Sequence, residues 1–152
     1  MHGTRVLADF MESNHFKPLV VTGAVITVSS SRRPGTDTSG KTLIDLLSAA
    51  GIEVTHYAVI PDDLERIRSE VHTAVSRATC VIVTGGTGLT PDDVTIEAVA
   101  PLLEKTIDGF GELFRLKSYE EIGTSAILSR AIAGVIAGRA AFCIPGSTKA
   151  VT

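Results

Sequence analysis

Apolar β-branched runs alternate with segments of helical periodicity along most of the chain. Residues 20–28 and 80–84 are almost free of charge, which is typical of strands covered on both faces, and residues 53–60 form another strand between them. Apolar residues at helical spacing predict a helix after each of the first two strands, through Leu43, Leu46, Leu47 and Ala50, and through Leu64, Ile67, Val71 and Val75. Strands that alternate with amphipathic helices predict right-handed βαβ units and a mostly parallel sheet.

The pattern changes in the last third of the chain. Residues 131–136 and 139–144 are short apolar strands joined by an Ala-Gly dipeptide, which predicts a β-hairpin. A hairpin adds an antiparallel pair, so the sheet is expected to be mixed. Before it, a helix is predicted to open at residues 90–93, with Pro101 either kinking it or starting a new helix.

Length and composition indicate one globular domain. The 152 residues suit a single domain, and we interpret residues 1–18, which lack periodicity, as an N-terminal arm before an α/β domain over residues 19–152. Hydrophobic residues make up 44% and charged residues 20%, which excludes a disordered polyanion and a disulfide scaffold. The net charge of -3 gives no reason to expect a nucleic-acid partner.

Signals for export, membrane insertion and metal binding are missing from the sequence. No stretch reaches the ~20 apolar residues of a membrane span, and the N-terminus lacks the apolar core of a signal peptide. Cys80 and Cys143 lie inside apolar runs, as buried thiols in a reducing compartment do. We therefore expect a cytoplasmic protein without a membrane partner. Metal-ligand spacing is absent among the histidines, which are His2, His15, His56 and His72.

Ligands of open α/β sheets bind beyond the carboxyl ends of the strands, which selects the loops at residues 29–40, 60–63, 84–93 and 144–148. The strongest candidate among them is Thr84-Gly85-Gly86-Thr87-Gly88. Three glycines in four residues let successive amides turn towards one anion, and the alternative is a turn that needs positive φ angles. The 144–148 loop offers amides and a hydroxyl, or is an ordinary turn into a helix.

The segment from Gly35 to Thr42 matches the phosphate-loop pattern G-x-x-x-x-G-K-[ST]. A phosphate loop needs a strand that runs directly into its first glycine, whereas residues 29–34 separate this glycine from the strand. We favour the alternative, a surface loop in which Thr38 or Ser39 caps the following helix. An anion could still bind the amides at the start of that helix.

Two acids follow strands at the expected ligand edge. Asp62 comes after the second strand and Asp93 after the glycine-rich segment, so a parallel sheet places both at the same edge. Two carboxylates at a phosphate site are useful if they hold a divalent cation. The alternative is helix capping, because Asp62-x-x-Glu65 resembles a capping box and Asp92 and Asp93 would lie in a first helical turn.

Taken in order, these segments resemble the molybdopterin adenylyltransferase family of molybdenum cofactor biosynthesis, the MoaB/MogA type. The resemblance spans residues 20 to 152, and the run from Tyr119 to Ser125 is closer to the MoaB branch. The matching motifs are residues 37–40, 60–62, 84–88, 93–95, 109–115, 125–130 and 144–147.

The resemblance implies a three-layer α/β/α subunit with the molybdopterin-binding fold, assembled as homotrimers or homohexamers. It implies transfer of AMP from Mg-ATP to molybdopterin with release of pyrophosphate. Asp62 and Asp93 correspond to the catalytic acids, and we expect them to hold Mg²⁺. The residues expected around the substrate and nucleotide are Asp37, Thr38, Ser39, Gly40, Thr84, Gly85, Gly86, Thr87, Gly88, Ser118, Ser129, Pro145, Gly146 and Ser147.

Two departures from the family pattern keep other functions open. Relatives usually continue into a C-terminal helix that is expected to be missing or truncated here, and they often carry Arg where this chain has Asp92. One alternative is a non-catalytic molybdopterin-binding protein, although the retained Asp93 favours an enzyme. Another is an NTPase that uses residues 35–42 as a phosphate loop. The candidate cations at the site are Arg32, Arg33, Lys41, Arg115 and Lys149.

Overall fold

A computed structural model describes residues 20–152 of the protein. The predicted N-terminal arm therefore lies outside the described residues. The strands are β1 (Thr22–Val28), β2 (Glu53–Ile60), β3 (Cys80–Thr84), β4 (Lys105–Thr106), β5 (Ile132–Ile136) and β6 (Arg139–Ile144). The helices are α1 (Thr38–Ala49), α2 (Leu64–Val75), α3 (Thr95–Val99), α4 (Asp108–Ile122) and α5 (Thr148–Val151), with 3-10 turns at Pro34–Thr36, Ala100–Leu102 and Gly123–Leu128.

The six strands form one mixed sheet in the order β2-β1-β3-β6-β5-β4. Strands β2, β1, β3 and β6 run parallel, whereas β5 pairs antiparallel with both β6 and β4. The predicted hairpin is confirmed, since Ala137 and Gly138, at the turn between β5 and β6, both have positive φ angles. Two positive φ angles are the geometry of the tight turn that suits the twist of a hairpin.

Helices cover both faces of the sheet, which confirms the predicted α/β fold. On one face α2 and α3 contribute Ile67, Val71 and Ala98 to the larger core cluster. On the other face Leu43 of α1 and Phe110 of α4 belong to a second cluster. The predicted buried face of α2 is correct, because its apolar residues recur at helical spacing and pack on the sheet.

The segment after β3 differs from the prediction. Residues 90–93 form a turn that is closed by the Asp93 amide donating to the Thr90 carbonyl, and α3 begins only at Thr95. Pro101 lies in the first turn of the 3-10 helix Ala100–Leu102, so of its two predicted roles it starts a new, short helix and does not kink α3. Proline lacks an amide hydrogen, and α3 ends before it.

The parallel strands end together. Ile60, Thr84 and Ile144 stand at the carboxyl ends of β2, β3 and β6, and the strand register aligns them with the end of β1. The loops that follow these four strands therefore lie along one edge. Within residues 20–152, no helix has both the length and the hydropathy that a bilayer span requires.

Candidate active site

The glycine loop, residues 85–88, follows β3 directly. Gly85 and Gly86 have φ angles of 95° and 65°, which side-chain-bearing residues rarely adopt. A Cβ atom on Gly85 would also clash with the carbonyl oxygen of Val28, and one on Gly86 with the hydroxyl of Thr95. The loop therefore needs glycine both for its turn and for close approach to its neighbours.

The carbonyl groups of the glycine loop are held by protein donors. The Thr95 hydroxyl donates to Gly85 O over 2.8 Å, and the Thr95 amide donates to Gly86 O over 3.0 Å. In the part of the chain that the structure describes, the amides of Gly86 and Thr87 donate to no protein acceptor. The loop thus presents unpaired N–H groups, which is the requirement for an anion site.

Arg130 holds the second half of the glycine loop, a role that the sequence did not predict. Its Nε donates to Thr87 O over 2.8 Å and its Nη2 to Gly88 O over 2.6 Å. Its Nη1 donates to Glu97 over 2.6 Å, and this bond holds the pKa of the Glu97 carboxyl below its usual value. Arg130 belongs to the family motif at residues 125–130, but the motif does not indicate this role, because the partners of Arg130 in the loop lie 42 and 43 residues away.

Asp62 lies beside the glycine loop and does not cap a helix. The cap of α2 is Asp63, whose carboxylate accepts from the Arg66 amide over 2.8 Å. The predicted capping box at Asp62 is therefore wrong by one residue. Asp62 Oδ2 accepts instead from the amide and the hydroxyl of Ser30, and Oδ1 lies 3.1 Å from the position of a Cβ atom on Gly86.

Asp93 lies at the other end of the glycine loop. Its Oδ2 accepts from the Thr90 hydroxyl over 2.7 Å and from the Thr90 amide over 3.0 Å, so it closes the 90–93 turn and does not cap α3. The hydrogen bond from the Thr90 hydroxyl, helped by the amides of Thr90 and Gly88 and by the charge of Arg130, holds the pKa of Asp93 below its usual value. The carboxylate is therefore ionised at neutral pH.

The two acids fit a divalent cation that arrives with a phosphate ligand. Asp62 approaches the loop at Gly86 and Asp93 approaches it at Gly88. Residues 20–152 contain no group of three acidic, histidine or cysteine side chains that could hold a metal alone. Mg²⁺ is commonly bound by one or two carboxylates together with substrate phosphates and water. The residues present suit that arrangement and not a resident metal cage.

Asp37 is fully buried beneath the site. Its carboxylate accepts from the hydroxyls of Tyr57 and Thr27 and from the Gly40 amide, and it caps α1 in place of the predicted Thr38 or Ser39. Burial by itself would raise the pKa of Asp37, but these hydrogen bonds outweigh burial and the pKa is lowered. Since the Gly40 amide is used by Asp37, residues 35–42 do not offer it to a phosphate.

The 145–147 loop forms another wall of the site and is tied to its neighbours by hydroxyl groups. Thr84 Oγ1 donates to Pro145 O over 3.0 Å, and Ser39 Oγ donates to Gly146 O over 2.7 Å. This wall, the glycine loop and Ser129 line an open cleft of about 540 Å³, here called the glycine-loop cleft. A second cavity of about 740 Å³ adjoins it and is lined mostly by apolar side chains of α4 and β6.

Residues 24–152 match the profile of a protein family described as a probable molybdopterin binding domain. The chain belongs to this family. The predicted resemblance is thereby confirmed, and so is the expectation that the chain has the fold of this molybdopterin-binding family.

Relatives and solved structures agree with this assignment. The chain is 49% identical to molybdenum cofactor biosynthesis protein B of Staphylococcus carnosus over 132 residues, which are 84% of this chain and 78% of that protein. It matches a crystal structure of a molybdenum cofactor biosynthesis protein B with a TM-score of 0.84 and 47% identity, covering 90% of this chain and 86% of the other. The tungsten cofactor synthesizing protein MoaB of Pyrococcus furiosus matches with a TM-score of 0.80 and 42% identity, over 89% and 88% of the two chains.

Among the residues that the family resemblance selected, Asp62 approaches the glycine loop at Gly86 but does not line the cleft. The other selected residues fall into three groups in this structure. The glycine-loop cleft is lined by Gly85, Gly86, Thr87, Gly88, Asp93, Ser129, Pro145, Gly146 and Ser147. Ser118 lines the adjoining cavity, which Ser129, Pro145 and Ser147 also border. The structure buries Asp37, Ser39, Gly40 and Thr84 beneath the cleft and leaves Thr38 exposed. The roles of all these residues towards a ligand stay predictions.

Proposed function

We propose that this protein acts in molybdenum cofactor biosynthesis and transfers AMP from Mg-ATP to molybdopterin. The proposal rests on one observation, the placement of the Asp62 and Asp93 carboxylates against a glycine loop with unpaired amides. Amides attract phosphate oxygens, and two carboxylates at the same loop suit the cation that accompanies a triphosphate. The names of the similar proteins support the pathway. The adenylyl transfer is supported by the family motifs in the sequence.

The proposed reaction needs alignment more than acid–base chemistry. A terminal phosphate oxygen of molybdopterin forms a bond to the α-phosphorus of ATP, and the bond from that phosphorus to its bridging oxygen breaks. The bridging oxygen keeps the electron pair and leaves with pyrophosphate. The attacking oxygen is already ionised at neutral pH, so no strong base is required. The barrier lies in bringing two polyanions together in line.

The residues of the cleft supply that alignment. The amides of Gly86 and Thr87 would bind phosphate oxygens, and the fixed carbonyls of the loop keep these amides in place. Asp62 and Asp93 would hold Mg²⁺, which supplies charge neutralisation along the phosphates when it is bound. Ser29 and Ser147, which also line the cleft, offer hydroxyl groups at its rim.

The decisive experiment incubates the protein with molybdopterin and Mg-ATP and measures adenylyl-molybdopterin and pyrophosphate. Asp93→Asn should reduce the rate by about 100-fold or more while pterin binding and thermal stability change little. The matched control is Asp92→Asn. Asp92 is exposed, and this substitution removes the same charge from the adjacent position. This control should keep the wild-type rate.

Three outcomes separate the alternatives. Pterin binding without any product from the wild-type protein would indicate a non-catalytic binding protein. Near wild-type transfer by Asp93→Asn would show that this carboxylate serves only the 90–93 turn. ATP hydrolysis that needs no pterin and disappears in Lys41→Ala would favour the phosphate-loop NTPase and contradict the proposal.

A further inference from the structure

The candidate cations of the sequence occupy different places in the fold. Arg33 and Lys41 are exposed, and Lys149 lines the apolar cavity that adjoins the glycine-loop cleft. The Arg115 guanidinium lies about 3.0 Å from the position of a Cβ atom on Gly111, inside the α4 packing. Among the candidates only Arg32 lines the glycine-loop cleft, where it is joined by Arg130.

Arg130 uses four of its five guanidinium hydrogens within the protein. Its three guanidinium nitrogens donate to the carbonyls of Thr87 and Gly88 and to both carboxylate oxygens of Glu97. The Glu97 carboxylate also balances its charge. Arg130 therefore holds the glycine loop with most of its donors, and within residues 20–152 a single Nη1 hydrogen has no protein acceptor.

Arg32 is placed differently. Its Nη1 donates to Ser39 Oγ and to Gly146 O, each over 3.2 Å, and lies 3.9 Å from the buried Asp37 carboxylate. Within residues 20–152, its Nε and Nη2 donate to no protein acceptor. About a third of the side chain, 36%, is exposed. One nitrogen thus anchors the guanidinium, and the other two keep their hydrogens for a ligand.

Arg32 lines the same cleft as Gly86 and Thr87, which carry the unpaired amides. Gly146, its carbonyl partner, packs so closely on Gly85 that a Cβ atom on Gly146 would lie 3.0 Å from Gly85 Cα. Arg32 is therefore fixed near the start of the glycine loop, whereas the Asp93 carboxylate contacts its end at Gly88. The Arg32 cation, which suits phosphate oxygens, and the Asp93 carboxylate, which suits a divalent ion, therefore lie at opposite ends of the glycine loop.

We infer that Arg32 binds a phosphate group of the ligand together with the amides of Gly86 and Thr87. The ligand class is a polyphosphate, of which ATP and pyrophosphate are members. The identification of that ligand as ATP rests on the proposed function, but the phosphate site rests only on the donors described above. A planar guanidinium with two unpaired nitrogens suits two-point contact with phosphate oxygens.

The test measures binding of inorganic pyrophosphate to the full chain by calorimetry, with and without Mg²⁺ and without pterin. Arg32→Gln should weaken binding by at least about tenfold, which is the loss of one charge-assisted hydrogen bond or more. It should also reduce the salt dependence of binding. Arg33→Gln is the matched control, since it removes the same charge from the exposed neighbour, and it should bind as the wild-type protein does.

A second variant covers the structural role of Arg32 near Asp37. Arg32→Lys keeps the charge but loses the planar fork, and it should bind pyrophosphate with an affinity between those of Arg32→Gln and the wild-type protein. Thermal unfolding is recorded for each variant. Unchanged affinity in Arg32→Gln would overturn the inference, and so would equal weakening in Arg33→Gln. Wild-type protein that does not bind pyrophosphate would overturn it as well.

These outcomes are distinct from failure of the proposed function. Binding of pyrophosphate that depends on Arg32, in a protein that forms no adenylyl-molybdopterin, would leave the phosphate site standing and refute the transferase. If the protein catalyses adenylyl transfer but binds pyrophosphate equally well with and without Arg32, the phosphate site is refuted and the proposed transferase function is not.

Discussion

At the scale of single residues, Asp37 carries a charge that the fold fully encloses. Tyr57 and Thr27 both donate to the same carboxylate oxygen, and the Gly40 amide donates to the other. A buried charge is tolerated only when it is hydrogen-bonded, and these three donors meet that need. Asp37 was predicted to line the ligand site, but it is buried beneath the loops and is not at their surface.

Asp37→Asn should lower the free energy of unfolding by about 2–3 kcal/mol at pH 7, because the charged acceptor of two hydroxyls and one amide is lost. The pKa of Asp37 is lower in the folded protein than its usual 3.8, so the stabilisation is complete above that value. It is lost as the pH falls through the folded pKa. Urea unfolding of both proteins from pH 7 downwards measures this difference, which should shrink below about pH 4. A difference that grows in acid would contradict the assignment.

At the scale of elements, the glycine loop was predicted from a short segment of sequence, whereas the start of α3 was not. Its three glycines after an apolar strand predicted either an anion site or a turn with positive φ angles, and the structure combines the turn with unpaired amides. The start of α3 was not predicted, because Asp93 bonds to Thr90 within a turn and delays the helix to Thr95. Acids near a helix start suit both arrangements, and the local sequence does not separate them.

Gly86→Ala should reduce AMP transfer by more than backbone strain alone would. The new methyl group would clash with the Thr95 hydroxyl and lie 3.1 Å from Asp62 Oδ1, so the loop and the carboxylate must both move. We expect loss of AMP transfer of about tenfold or more and a lower melting temperature.

Gly51→Ala is the matched control for this loop variant. Gly51 also has a positive φ angle, of 79°, but a methyl group there meets nothing within 4 Å. It should cost about 1–2 kcal/mol of stability and leave transfer unchanged. Equal loss of transfer in the two variants would show that backbone strain alone explains the effect of Gly86→Ala.

At the scale of the whole molecule, α4 is apolar on two faces. Phe110 and Phe114 pack against the sheet, while Leu116 and Tyr119 remain more than half exposed. Leu113 is equally exposed but borders the apolar cavity between this helix and β6. Soluble proteins rarely expose clustered large apolar side chains unless a partner covers them. Acidic and basic residues are mixed along the same helix, which suits a second copy better than a strongly charged partner.

We predict that this outer face of α4 is buried between copies of the chain, as the family resemblance implies for a homotrimer or homohexamer. Leu116→Glu should place a charge in that interface and reduce the molar mass measured by light scattering after size exclusion. Ser48→Glu, at an exposed position of α1, is the control and should keep the wild-type mass. An unchanged mass for Leu116→Glu would contradict this interface.

The sequence by itself determined β1, β2 and β3, the helices α1 and α2, the hairpin and the glycine loop, because each depends on residues that are near neighbours in the chain. Local sterics and hydrophobic spacing are sufficient for such features. The sequence predicted neither β4 nor α4. Only the tertiary structure decided that Arg130 holds the loop, that Arg32 faces the cleft, and that Asp37 is enclosed. The contact from Arg32 to Gly146 joins residues 114 positions apart, and it exists because β1, β3 and β6 end in register at one edge of the sheet.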